Sequence, residues 1–232
     1  MKSTFTSILA LVILLISACE PDHPGIQEIE LKLDTLPFDN IMLETDADVR
    51  IIQADHYQVI IQGFESEVYD VDVRVVGDQL TIDQPGHFSE NLLIKVLVPE
   101  ISQLQSFGSS YIYGESYFTQ DRNMDITLTG SGEIDFAVET GQLDVAITGS
   151  GNIYLEGDIE VLDVEIDGSG WVRSFSLSSL FTDVRIEGSG SAEVTVSEDL
   201  DAFILGSGDI YYKGHPLISA TITGSGELID AN

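Results

Sequence analysis

Positive charge is scarce in this chain: nine lysines and arginines stand against 40 aspartates and glutamates, for a formal charge of −31. Such a surface repels phosphate backbones and anionic headgroups, which excludes nucleic acid as a partner and disfavours an anionic bilayer surface. Cysteine is almost absent. Cys19 is the only one, so no intramolecular disulfide can form. There are four histidines, His23, His56, His87 and His215, and no motif places any of them beside a serine, as a nucleophile and its base would require. The G-x-S-x-G elbow of serine hydrolases is missing too. Beyond the first residues no stretch carries a sustained 3.6-residue apolar stripe, so helices are not expected to build the core.

Glycine is plentiful, and it is ordered. Six triplets recur in the second half: Gly130-Ser131-Gly132, Gly149-Ser150-Gly151, Gly168-Ser169-Gly170, Gly188-Ser189-Gly190, Gly206-Ser207-Gly208 and Gly224-Ser225-Gly226. Their first glycines are 19, 19, 20, 18 and 18 residues apart. A fixed period near 20 marks stacked repeats, each burying its apolar side only against its neighbours. Two residues before each triplet stand Leu128, Ile147, Ile166, Ile186, Ile204 and Ile222, and two further back stand Ile126, Val145, Val164, Val184, Ala202 and Ala220. Four residues after each first glycine come Ile134, Ile153, Val172, Ala192, Ile210 and Leu228. Mostly polar residues alternate with these, so both flanks of each triplet are strands and the triplet is the corner between them. Glycine suits such a corner because it reaches positive φ and lets one coil approach the next closely. A looser second turn is expected at Glu139-Thr140-Gly141, Gly157-Asp158, Ser178-Ser179, Glu198-Asp199 and Gly214-His215-Pro216, giving two short strands and two turns per coil. The pattern predicts an all-β parallel β-solenoid with aliphatic ladders inside and about 18–22 residues per coil.

Residues 1–18 have the make-up of an export signal: Lys2, an apolar run from Ile8 to Ile16, and a small-residue site. That run is too short to span a bilayer. The ending Ile16-Ser17-Ala18-Cys19 resembles the lipobox of bacterial lipoproteins, which implies cleavage before Cys19 and lipidation of its thiol. The membrane is thus an expected partner through an acyl anchor, and residues 19–27 read as anchor and tether. An exported, lipid-anchored envelope protein follows, with the outer membrane the expected site and either the periplasm or the medium the side it faces. Seven strand candidates come next at irregular spacing: Ile29–Leu33, Ile41–Glu44, Val49–Gln53, Gln58–Gln62, Val71–Val76, Gln79–Asp83 and Leu92–Val98. Turn signals separate them at Asp46-Ala47-Asp48, Gln62-Gly63, Gly77-Asp78 and Gln84-Pro85-Gly86. Residues 28–107 form an N-terminal β region that continues or caps the solenoid, and residues 108–232 form the repeat part of the same domain. Gly108-Ser109-Ser110 reads as a degenerate first corner.

The run Leu92 to Ile101, with Val96-Leu97-Val98-Pro99 at its centre, leads through Leu104 into the corner at Gly108 and the triplet series. Together with Val49–Gln53 and Gly77–Ile82, this resembles the auto-transporter adhesin "head GIN" domain family of Bacteroidetes-type lipoproteins, from about residue 38 to the C-terminus. The resemblance implies a right-handed parallel β-helix and a role in adhesion. It implies no reaction and no catalytic residue.

The residues themselves point to binding rather than catalysis. Outward positions three and five after each first glycine are Glu133/Asp135, Asn152/Tyr154, Trp171/Arg173, Ser191/Glu193 and Asp209/Tyr211. Tyr154, Trp171, Arg173, Asp209 and Tyr211 offer aromatic planes beside hydrogen-bonding groups, a set that suits a glycan or an extended protein segment of the envelope or host. The alternative is a carbohydrate-active enzyme using outer-face carboxylates such as Glu133 with Arg173; Asp135 and Glu193 fall in one column but several coils apart. A third reading is a structural or regulatory envelope protein with no external ligand. No cofactor is expected. Asp46-Ala47-Asp48 and Asp70-Val71-Asp72 lack the loop that gathers six or more oxygens around calcium, which leaves only weak binding by a dense acidic surface.

Overall fold

A computed structural model of the chain describes residues 27–84 and 92–232. The export signal, Cys19 and the tether up to residue 26 lie outside the described residues, as do Pro85, Gly86 and His87.

The chain opens with β1 (Glu28–Asp34), β2 (Asn40–Glu44), β3 (Asp48–Gln53) and β4 (Gln58–Phe64). A short helix, α1 (Glu65–Asp70), leads into β5 (Asp72–Val76), β6 (Gln79–Asp83), β7 (Leu93–Val98), β8 (Gln103–Gly108) and β9 (Tyr111–Gly114). The repeat part holds β10 (Phe118–Thr119), β11 (Met124–Gly130), β12 (Glu133–Gly149), β13 (Asn152–Gly168), β14 (Trp171–Gly188) and β15 (Ser191–Gly206). It closes with β16 (Asp209–Lys213), β17 (Leu217–Gly224) and β18 (Leu228–Asp230). The 18 strands described form one hydrogen-bonded sheet, wound into a solenoid.

Each Gly-Ser-Gly triplet is a corner, and its two glycines serve different ends. Gly149 has φ +126°, and a Cβ there would sit 2.5 Å from the Gly130 carbonyl oxygen of the preceding coil. Gly151 needs no positive φ; its Cβ would meet the Leu128 Cδ2 methyl at 2.5 Å. The first glycine thus lets the backbone turn, and the second makes room for the aliphatic ladder one coil below. Between them the serine amide carries the ladder through the corner: Ser150 donates to Gly130 O (2.9 Å) and Ser169 to Gly149 O (2.8 Å). At the degenerate corner Ser110 replaces the second glycine, and the ladder residue two before the corner is Ser106 instead of an aliphatic. Both are fully buried, and their hydroxyls pair at 3.0 Å.

Two expectations need correction. In the central coils the second turn does not interrupt the strand: β12 to β15 run 16 to 18 residues each. Between β12 and β13 the pairing runs almost unbroken through the bend, whereas β13–β14 shifts register between Tyr154 and Glu156 and β14–β15 shifts twice between Ser174 and Phe181. Of the five expected second turns only the last, Gly214-His215-Pro216, separates two strands, β16 and β17. Gln62-Gly63 is not a turn but part of β4, and the chain reverses through α1 instead, with Val68 buried.

The N-terminal strands both continue the solenoid and cap it. β2 and β3 form a coil that stacks in parallel on β8 and β9 on one side and on β6 and β7 on the other. The first coil in the sequence is therefore sandwiched between the second and the third. Beyond β6 and β7 the sheet turns antiparallel, through β5 on β6, β4 on β7 and β1 on β4. Inside, Leu128, Ile147, Ile166, Ile186 and Ile204 are at most 1% exposed, each stabilising the fold by about 1.5–3 kcal/mol. The ladder opens at the last coil, where Ile218 and Ile222 are 45% and 42% exposed.

Candidate functional site

The solenoid presents two broad outer faces. The trailing face carries strands that leave each triplet corner; the leading face carries strands that run into it. On the trailing face, strand register stacks Asn152, Trp171, Ser191 and Asp209 in one column and Tyr154, Arg173, Glu193 and Tyr211 in the next. The alternation that buries Val172 turns its neighbours Trp171 and Arg173 outward together. Arg173 lies across both aromatic rings below and beside it. Its guanidinium carbon stands 4.3 Å from the Trp171 ring centroid and 5.2 Å from that of Tyr154, and its Nη1 donates to the Tyr154 hydroxyl at 2.8 Å. The Trp171 indole N–H is buried with no acceptor.

Three of the five expected binding residues, Tyr154, Trp171 and Arg173, are thus in direct contact. Tyr211 and Asp209 keep their places in the two columns but lie two coils further along, roughly 10 Å from Arg173 and Trp171. Asp209 accepts there from the Glu227 amide at 2.9 Å. Asp135 and Glu193 are three register steps apart, roughly 14 Å, too far to act as a glycosidase pair. The triplet serines line one exposed corner, where Ser225 donates to Ser207 at 3.0 Å. Of the two described histidines, His56 pairs with Asp55, and neither bonds a serine. Among the described residues no group of three or more His, Cys, Asp or Glu side chains is placed to hold a metal ion.

The leading face holds a feature that sequence reasoning passed over. Asp125, Asp144, Asp163, Asp183 and Asp201 stack directly on one another along five successive coils. They line an open groove of about 720 Å³, with Arg185 and Phe203 on its other side. Gln142 bridges two of them, donating to Asp144 at 2.9 Å and Asp163 at 3.2 Å. Partial burial, then repulsion from Asp144, raises Asp125 and Asp163 above the ordinary aspartate range; burial and Asp201 do the same for Asp183. The signal was available: each of these aspartates stands five residues before a triplet, at the same spacing as the corners.

The matching family model, "Putative auto-transporter adhesin, head GIN domain", spans residues 37–216. The chain belongs to the head GIN domain family. A crystal structure of a "putative adhesin" from Bacteroides fragilis NCTC 9343 superposes with a TM-score of 0.83 at 22% identity, covering 88% of this chain and 97% of that one. A "putative lipid binding protein" from Parabacteroides distasonis ATCC 8503 gives 0.72 at 22% identity over 88% and 97%. A "putative adhesin" from Parabacteroides merdae ATCC 43184 gives 0.70 at 21% identity, with the same coverage. No curated protein matches the chain. At these identities the solved structures share the fold with this chain, and the fold alone.

Proposed function

We propose that this head GIN protein is a non-enzymatic envelope lipoprotein, anchored through Cys19, whose trailing face is an adhesion or ligand-binding surface. The observation that carries the reading is the Tyr154–Arg173–Trp171 stack, held outward on a rigid sheet away from any core role. The rings hold the Arg173 guanidinium in place, and a fixed hydrogen-bonding fork with Tyr211 further along the same column suits a sugar. The family name supports adhesion and a place at the cell surface or envelope. The solenoid interior is filled by aliphatic ladders, so a lipid of the kind named for one solved relative would have to lie on an outer face.

The test is a binding panel of envelope and host polysaccharides against the soluble chain from Glu20 onward, by calorimetry, with and without calcium. Saturable binding that Trp171→Ala abolishes supports the reading. A panel in which binding is indifferent to Trp171→Ala contradicts it.

A second reading, a carbohydrate-active enzyme, is favoured by the groove of the leading face, where five carboxylates stack on successive coils and partial burial raises Asp125, Asp163 and Asp183 above the ordinary aspartate range. Assay of the same mixtures for new reducing or unsaturated ends decides it. New ends that disappear in Asp163→Asn would establish the enzyme, and their absence leaves the binding surface.

A further inference from the structure

Arg173 is the one arginine among the described residues without a carboxylate partner. Arg50 pairs with Glu115, Arg74 with Asp72, Arg122 with both Asp39 and Glu100, and Arg185 with Glu165 and Glu187. In a chain with 40 acidic residues this is not for want of candidates: strand register places Glu193 directly next to Arg173. The guanidinium turns instead onto Trp171 and Tyr154 and uses a single N–H, on Nη1, to reach Tyr154. Stacking holds its plane fixed and leaves the remaining N–H donors of the fork without acceptors. The Trp171 indole N–H is buried beneath this arrangement and takes no part in it, so the free donors at the surface are those of Arg173. A free guanidinium on a surface otherwise crowded with acceptors is what a bound oxyanion needs, and a fixed planar fork matches a carboxylate better than a point charge would.

We propose that Arg173, backed by Trp171 and Tyr154, is a subsite for a carboxylate carried by a sugar residue of an otherwise neutral glycan. The inference rests on the trailing face being the binding surface. Two observations select the ligand class. The net charge of −31 opposes a polyanion, so the carboxylates must be sparse along the ligand. β13, β14 and β15 are paired on both sides, so the site offers no open edge on which an extended peptide could add as a strand. A glycan needs no such edge, and Tyr211, two coils along the Arg173 column, gives its neighbouring sugars a further aromatic plane.

The test uses two matched pairs of oligosaccharides that differ by one acidic sugar: sialyllactose against lactose, and aldotetraouronic acid against xylotriose. Trp171 is the only tryptophan, so the emission of the soluble chain from Glu20 onward reports on this site directly. The expected result is saturable change with the acidic member of at least one pair and binding of its neutral partner about ten- to hundredfold weaker. Arg173→Gln, checked for folding by circular dichroism, should erase the difference, and Arg173→Lys should restore only part of it. Equal binding of acidic and neutral members, unchanged in Arg173→Gln, overturns the inference while leaving the surface reading intact. No response from either pair, with the polysaccharide panel still binding through Trp171, overturns it as well. A short peptide with a single carboxylate that binds through Arg173 where the sugars do not would assign the subsite to a protein ligand instead.

Discussion

Replacing Gly168 with alanine should damage the solenoid far more than the same change at Gly77, although both glycines have positive φ. Gly77, with φ +68°, sits in the β5–β6 turn, and a Cβ there would meet nothing within 4 Å. Its cost is that of a left-handed alanine alone, about 1 kcal/mol. Gly168 has φ +126°, and a Cβ there would stand 2.4 Å from the Gly149 carbonyl oxygen. That conformation is strained for any L-residue, by about 1–3 kcal/mol. Relieving the overlap must also lift the corner off the coil below, weakening the Ser169–Gly149 hydrogen bond of 2.8 Å, for about another 1 kcal/mol. With lost packing of the neighbouring ladder the total is about 3–5 kcal/mol. For a chain of this size each kcal/mol moves the thermal midpoint by roughly 2–4 °C. Gly168→Ala should therefore melt roughly 10 °C below the parent and Gly77→Ala only roughly 3 °C below it, by circular dichroism. Equal losses in the two variants would refute the account of the corners, because close coil-to-coil approach would then carry no energetic weight.

Three further outcomes follow from particular contacts. The aspartate column should make the fold firmer as pH falls: Asp125, Asp163 and Asp183 hold protons more readily folded than unfolded, so their contribution is fully present below the ordinary aspartate value of 3.8 and lost as pH rises through the raised values. Glu30, depressed chiefly by its hydrogen bond from Lys32, has the opposite sign, but its contribution is lost only below the ordinary glutamate value of 4.5. Urea midpoints should thus rise as pH falls from neutral toward the ordinary glutamate value of 4.5, and Asp163→Asn should raise the pH 7 midpoint while flattening the slope; a midpoint that falls over that range would refute this. Ser106→Ala should cost about 1–3 kcal/mol by leaving the buried Ser110 hydroxyl unpaired, and adding Ser110→Gly should recover much of it, measured by urea unfolding as a double-mutant cycle. Phe136→Ala should cost about 3–5 kcal/mol, since that ring is fully buried against Phe118 at a centroid distance of 5.0 Å.

The repeat half of the fold was legible because its determinants are local. A triplet that needs positive φ at its first glycine and no Cβ at its second can be found residue by residue, and the alternation of Val145, Ile147 and Ile153 around it fixes which side faces in. The order of the N-terminal coils was not legible in the same way. That β2 and β3 insert between coils which follow them in sequence depends on pairings with residues 39 to 63 positions away, for which strand alternation carries no address. The helix α1 escaped because six residues are too few to display a 3.6-residue period. On the trailing face, outward positions were predictable from alternation alone, whereas the stacking of Arg173 onto Trp171 in preference to Glu193 depends on side-chain geometry that register does not settle. The aspartate column was hidden among 40 acidic residues until its spacing was compared with that of the corners.

The most direct test of the central claim sets the two faces against each other with one ligand from the polysaccharide panel. Affinity is measured for Tyr154→Ala and Trp171→Ala on the trailing face and for Asp144→Asn and Asp183→Asn on the leading face. If the aromatic face is the binding surface, the first two lose about thirtyfold or more and the last two stay within about twofold of the parent. Loss confined to the aspartate variants would move the site to the groove and contradict the account.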